Sequence, residues 1–140
     1  MNCGYGKMSR CAVAAVSYLA ECYPSGHRAN SREIAENRNL SQALVAKILT
    51  VLSREKIVNG TPGPGGGYLL NVAPEKLSLA DIVLIFEDPE STDMCPYGPD
   101  WCGSESPCPM HDMLVEMQES SVQKMRDTPF SIFIGNSAKI

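Results

Sequence analysis

The chain has 140 residues, which at roughly 100–200 residues per domain leaves room for one core and an appendage but not for two independent domains. A hydrophobic content of 44% with 20% charged residues excludes a disordered polyelectrolyte as the bulk of the molecule. The net charge of −4 argues, taken whole, against nucleic acid, but residues 1–70 hold eight Lys/Arg and four Asp/Glu, a net of +4, whereas residues 71–140 hold four and twelve, a net of −8. A basic front and an acidic back fit a polyanion-binding part joined to a part that stays off the polyanion.

Lys7 and Arg10 precede an apolar stretch from Cys11 to Ala20, and Leu19-Ala20-Glu21-Cys22 superficially resembles a lipoprotein cleavage site. Glu21 stands where such a site needs a small residue, so the stretch reads as a buried first helix from about Met8, with Cys11, Ala15, Tyr18, Leu19 and Cys22 inward. No apolar run approaches the ~20 residues of a membrane-spanning helix. The protein is therefore expected in the cytoplasm, away from membranes, where cysteines bind metal or respond to redox state more often than they crosslink.

Pro24-Ser25-Gly26 ends the first helix, and Asn30 with Glu33 has the spacing of a capping box opening a second helix to about Arg38. After Asn39-Leu40, Ser41 is a suitable N-cap for a third helix, whose Leu44, Val45, Ile48, Leu49 and Leu52 form one apolar face. Two helices with so short a joint suit a helix-turn-helix or an ordinary helical hairpin. Ile57-Val58-Asn59 and Tyr68-Leu69-Leu70 are strand-like runs on either side of Thr61-Pro62-Gly63-Pro64-Gly65-Gly66-Gly67. No Lys-Ser/Thr follows these glycines, so the loop is not a nucleotide-binding P-loop; a hairpin after helix-turn-helix is instead a wing. On this reading duplex DNA meets Ser41, Gln42, Ala43 and Lys47 near base edges, Arg54 and Lys56 at phosphates, and Gly65 and Gly66 at the backbone. Gln42 can pair with adenine, and Lys47 with guanine or phosphate.

Ser78 and Asp81 open a fourth helix that ends near Glu87. A loop from Asp88 to Pro109 follows, with Cys95, Cys102 and Cys108 and no element of its own. His111 lies three positions after Cys108 at the start of a last helix, on which Met110, Met113, Leu114, Met117, Ser121 and Met125 form an apolar stripe. Little in the second half is left to cover that stripe, which points to a homodimer. Three thiols and an imidazole can surround one inorganic centre. The tight C-x2-C turn common in structural zinc sites is missing, and iron-sulfur clusters accept wider spacing, yet zinc and redox-active thiols remain alternatives. No acid/base or nucleophile pair suggests an enzyme.

The chain resembles the Rrf-two family of bacterial winged-helix regulators over nearly its whole length. The resemblance rests on Gly63-Pro64-Gly65-Gly66-Gly67-Tyr68-Leu69-Leu70, on the three-cysteine loop before the last long helix, on Cys11 to Ala20, and on Ile34-Ala35-Glu36. It implies a mainly α fold: a winged helix-turn-helix unit over 1–75 with a β-hairpin wing, a connecting helix and cluster-binding loop over 76–109, and a long C-terminal dimerisation helix with a tail over 110–140. It also implies a dimeric transcription factor whose affinity for a palindromic operator follows the state of an iron-sulfur cluster. His111 stands where one branch of the family has a histidine ligand, favouring 2Fe-2S over 4Fe-4S with Cys95, Cys102 and Cys108. Arg10 stands where the nitric-oxide-sensing branch supplies an acidic ligand, and Pro62 where relatives often carry a basic residue before the wing glycines.

Overall fold

The computed structural model describes residues 6–87 and 109–135. Among these residues are five helices, α1 (Lys7–Cys22), α2 (Ser31–Arg38), α3 (Gln42–Arg54), α4 (Leu79–Phe86) and α5 (His111–Arg126), and one hairpin, β1 (Val58–Thr61) with β2 (Gly67–Leu70). Short 3-10 turns lie at Pro74–Lys76 and Phe130–Phe133. The architecture is the mainly helical one expected from the sequence, with element limits within a residue or two of the periodicity.

α1 is the central strut. Ala12, Ala15 and Ala20 are fully buried along it beside Val16 and Leu19, and side chains this small let α2, α3 and α4 approach the same helix. α3 presents Val45, Ile48, Leu49 and Leu52 to this core, as its spacing requires, and Leu44 is half-buried. Ala80, Ile82 and Val83 of α4 are also buried, so α4 is packed into the same core by its contact with α1.

The caps that define the helices are local. Ser41 accepts from the Leu44 N–H, and Ser78 and Asp81 form a reciprocal capping box. The box expected at the start of α2 forms only in half. Asn30 accepts from the Glu33 N–H at 2.8 Å, but the Glu33 carboxylate is taken by Tyr18 Oη at 2.6 Å and His27 Nε2 at 2.7 Å. The turn from α2 to α3 is made by Asn39 in the left-handed conformation, φ 54°, a region its short amide side chain tolerates.

The tail after α5 returns to the body. Leu79 donates to Thr128 O at 2.9 Å, Phe130 donates to Leu77 O at 2.8 Å, and the Phe130 ring is fully buried. Both ends of the 79–130 stretch are thereby tied to the core.

Candidate nucleic-acid interface

The four buried positions of α3 lie on one side, and Gln42, Ala43, Lys47, Thr50 and Arg54 are all exposed on the other. Positions 43, 47, 50 and 54 follow the three- and four-residue steps of one helical face, so the third helix offers a continuous exposed stripe carrying two cations. Ser41 heads it; one lone pair of its hydroxyl accepts the capping N–H, which leaves its proton to donate outward. Lys56 follows the C-terminus with φ 62°, and its carbonyl accepts from Asn71 Nδ2 at 3.1 Å, so its exposed side chain stands on a fixed turn.

The hairpin is antiparallel, with Val58 opposite Leu70 and Thr61 opposite Gly67. Gly63-Pro64-Gly65-Gly66 closes its tip, with Gly66 N–H bonded to Gly63 O at 2.9 Å. Proline at the second position and Gly65 at φ +76° in the third are the requirements of a type II turn. A Cβ on Gly66 would lie 2.0 Å from the Thr61 carbonyl oxygen, so the tip has no room for a side chain there. The hairpin is held near its tip by Ala29 and Tyr68, which exchange backbone bonds of 3.2 and 2.8 Å.

Arg28, which the sequence reading did not assign to the interface, donates from Nη1 to Thr61 Oγ1 at 2.8 Å. It places a cation next to the wing tip, on the residue before Pro62, where a basic side chain is missing from the wing itself. Its distance of 33 residues from Thr61 hides this pairing from local sequence patterns.

Other cations of the basic half do structural work. Arg38 is nearly buried: it meets Glu21 Oε2 at 2.6 Å and Ser17 Oγ at 3.1 Å, and its guanidinium lies 5.2 Å from the centre of the Tyr18 ring. Arg32 pairs with Glu36 on the surface at 3.2 Å.

Of the suggested cluster ligands, His111 is half-buried in the first turn of α5, while Cys95, Cys102 and Cys108 lie outside the described residues. The first turn of α5 closes through the Leu114 N–H to Met110 O, at 2.9 Å. At the other border of the loop, Glu87 accepts from the Gly6 N–H and from Ser9 Oγ, the latter at 2.7 Å. The end of α4 is thus bonded to the start of α1. Of the methionine stripe, Leu114, Ser121 and Met125 are half-buried, whereas Met113 and Met117 are exposed together with Val115. Among the described residues no helix is long and apolar enough to cross a membrane.

Comparison with known proteins agrees with this arrangement. A protein of Aquifex aeolicus described as an HTH-type transcriptional regulator is 30% identical over 111 residues, 78% of this chain and 76% of its own length. The T. potens IscR structure superposes with a TM-score of 0.77 at 17% identity, covering 96% of this chain and 90% of that one. CymR, the global cysteine regulator of B. subtilis, does so with a TM-score of 0.76 at 18% identity, covering 91% and 94%. Likeness at that identity speaks for the winged-helix fold. The family model described as an iron-dependent transcriptional regulator matches residues 5–134, and the chain belongs to this Rrf2 (Rrf-two) family of transcriptional regulators.

Proposed function

We propose that the protein is a homodimeric regulator that binds a palindromic operator in duplex DNA, with an affinity governed by an iron-sulfur cluster. The observation that supports the DNA reading is the exposed face of α3, which packs against β1 of the wing and carries Lys47 and Arg54, with exposed Lys56 just after it and Arg28 bonded to Thr61 of the wing. Gln42, Ala43 and Lys47 read base edges with Ser41 at the helix start; Arg54, Lys56 and the backbone of Gly65 and Gly66 meet phosphates. Residues 1–75 form the reading unit, 76–109 the sensing segment, and 110–140 the segment that joins the two copies.

The cluster reading rests on the donor set. Three thiolates from Cys95, Cys102 and Cys108 with the His111 imidazole suit a 2Fe-2S centre better than a 4Fe-4S one, and such a centre supplies one-electron redox chemistry when bound. An imidazole in place of a thiolate removes one negative charge, which raises the reduction potential. His111 lies in the first turn of α5, where the positive end of the helix dipole favours an anionic group. The site is on protein that transmits, since α5 packs on α4 and α4 on α1. Such a regulator works in the cytoplasm and catalyses no reaction of its own.

Protein purified without oxygen is expected to be coloured and to contain iron and sulfide. Cys102→Ala is expected to abolish the chromophore, and His111→Ala to leave a more labile one with an altered spectrum. Colourless protein with stoichiometric zinc and no iron, even after reconstitution, would overturn the cluster reading in favour of a zinc-stabilised or thiol-based regulator. Loss of salt dependence in duplex binding would overturn the electrostatic reading of the interface.

A further inference from the structure

The end of α1 and the start of α2 bring a thiol, an imidazole and a carboxylate together. We propose that Cys22, His27 and Glu33 form a binding site for one divalent transition-metal ion of the zinc class. The Cys22 Sγ, a ring nitrogen of His27 and a carboxylate oxygen of Glu33 all lie within 4.8 Å of one another. A tetrahedral zinc ion with bonds of roughly 2.0–2.3 Å holds its ligand atoms about 3.3–3.8 Å apart, so only small side-chain movements separate this cluster from a coordination sphere.

The backbone that assembles the trio is well defined. Cys22 is the last residue of α1, and its carbonyl accepts from Ser25 Oγ at 3.0 Å. Gly26, at φ +73°, turns the chain so that His27 comes back to Glu33, which sits in the first turn of α2. Each donor therefore comes from a different local element: a helix end, a turn and a helix start.

The charges and the neighbours also suit a cation. A thiolate, a carboxylate and a neutral imidazole together balance a dication. Tyr18, one helical turn before Cys22, donates to Glu33 Oε2 at 2.6 Å and orients the carboxylate, as partners of metal ligands commonly do. The Tyr18 hydroxyl is thereby engaged with Glu33 as a donor and stands beside the three ligands, not among them. Glu33 Oε2 accepts from Tyr18 Oη and from His27 Nε2, which holds the carboxylate beside the thiol. The His27–Glu33 contact at 2.7 Å is by itself an ion pair; the buried Cys22 thiol beside it is what that simpler reading does not use. Three protein donors leave the fourth position to water, which makes the ion exchangeable. Its ligation would join α1 to the segment whose Ala29 pairs with Tyr68 of the wing.

The site can be tested independently of the cluster. The full chain carrying Cys95→Ser, Cys102→Ser and Cys108→Ser is titrated with Co2+ without oxygen. One equivalent is expected to bind with a thiolate-to-cobalt charge-transfer band and tetrahedral visible bands, both removed by Zn2+. Cys22→Ser is expected to abolish the charge-transfer band, while Cys11→Ser, at another buried thiol, leaves it unchanged. His27→Ala, at a side chain 52% exposed that the fold can lose at small cost, is expected to weaken binding at least tenfold. The same variant in the otherwise native chain is expected to lose one equivalent of zinc, a readout that stands even if the loop-substituted chain folds poorly. Absence of the charge-transfer band from the folded chain, or a band of unchanged affinity in His27→Ala, would overturn the proposal and leave an ion pair only.

Discussion

Arg38 and Lys47 carry the same charge in opposite environments. The Arg38 side chain is 7% exposed and bonded to Glu21 and Ser17, whereas Lys47 stands on the outer face of α3. Glu21 is itself partly exposed, so Arg38→Ala is expected to cost about 2–3 kcal/mol, between exposed pairs at ~0–1 and buried pairs broken on one side at ~3–5. Lys47→Ala is expected to stay within about 0.5 kcal/mol of the native stability while weakening duplex binding and flattening its salt dependence by about one phosphate contact. Urea unfolding and salt-titrated binding on both variants check the division of labour; equal loss of stability in the two would refute it. Sequence showed that the front half is basic but not which cations are free to act. The partner of Arg38 lies 17 residues away and that of Arg28 lies 33 residues away, beyond any helical or turn spacing.

At the scale of elements, what was legible had a local cause. The faces of α1 and α3 follow from apolar spacing, Ser78–Asp81 from a capping box, and the wing from two strand-like runs about a glycine tip. Glu33 departs from its local role because Tyr18 and His27 compete for its carboxylate. Phe130 gave no signal in advance, since a single ring in a four-residue turn has no periodicity, though it is fully buried. The wing also carries a test of its own. A methyl on Gly66 would lie 2.0 Å from the Thr61 carbonyl oxygen and within 3 Å of the Gly63 and Pro62 carbonyl oxygens, a clash with backbone that only opening the turn relieves. Because the tip is exposed and apart from the core, Gly66→Ala is expected to weaken duplex binding by tenfold or more with the thermal midpoint nearly unchanged. Binding and calorimetry together check this; an unaltered affinity would show that the wing does not touch DNA.

For the whole molecule, the proposed homodimer depends on α5 and the proposed coupling on the ends of the cysteine loop. No residue of α5 is fully buried, and Met113 remains 48% and Met117 39% exposed; in the proposed homodimer a second copy packing on that face would cover them. Met117→Glu is expected to shift sedimentation toward the monomer, since a carboxylate in an apolar seam costs several kcal/mol; a wild-type chain that is monomeric at micromolar concentration would remove the premise. Coupling needs an element that both the cluster and DNA bias. Glu87 is the last described residue before the cysteine loop, and it holds the Gly6 N–H and Ser9 Oγ at the start of α1. α1 in turn packs against α2, α3 and β2, the elements that position the reading helix and wing. On the proposed cluster reading, a cluster bound by the loop would act first on this joint. Glu87→Gln, which keeps the size of the side chain but weakens both acceptor bonds, is therefore expected to leave cluster content intact and to bring the ratio of operator affinities with and without the cluster toward one. Quantitative binding of both forms to an operator selected from random sequence checks the ratio. A ratio equal to that of the native protein would show that the signal leaves the loop at its other end, through His111 and α5.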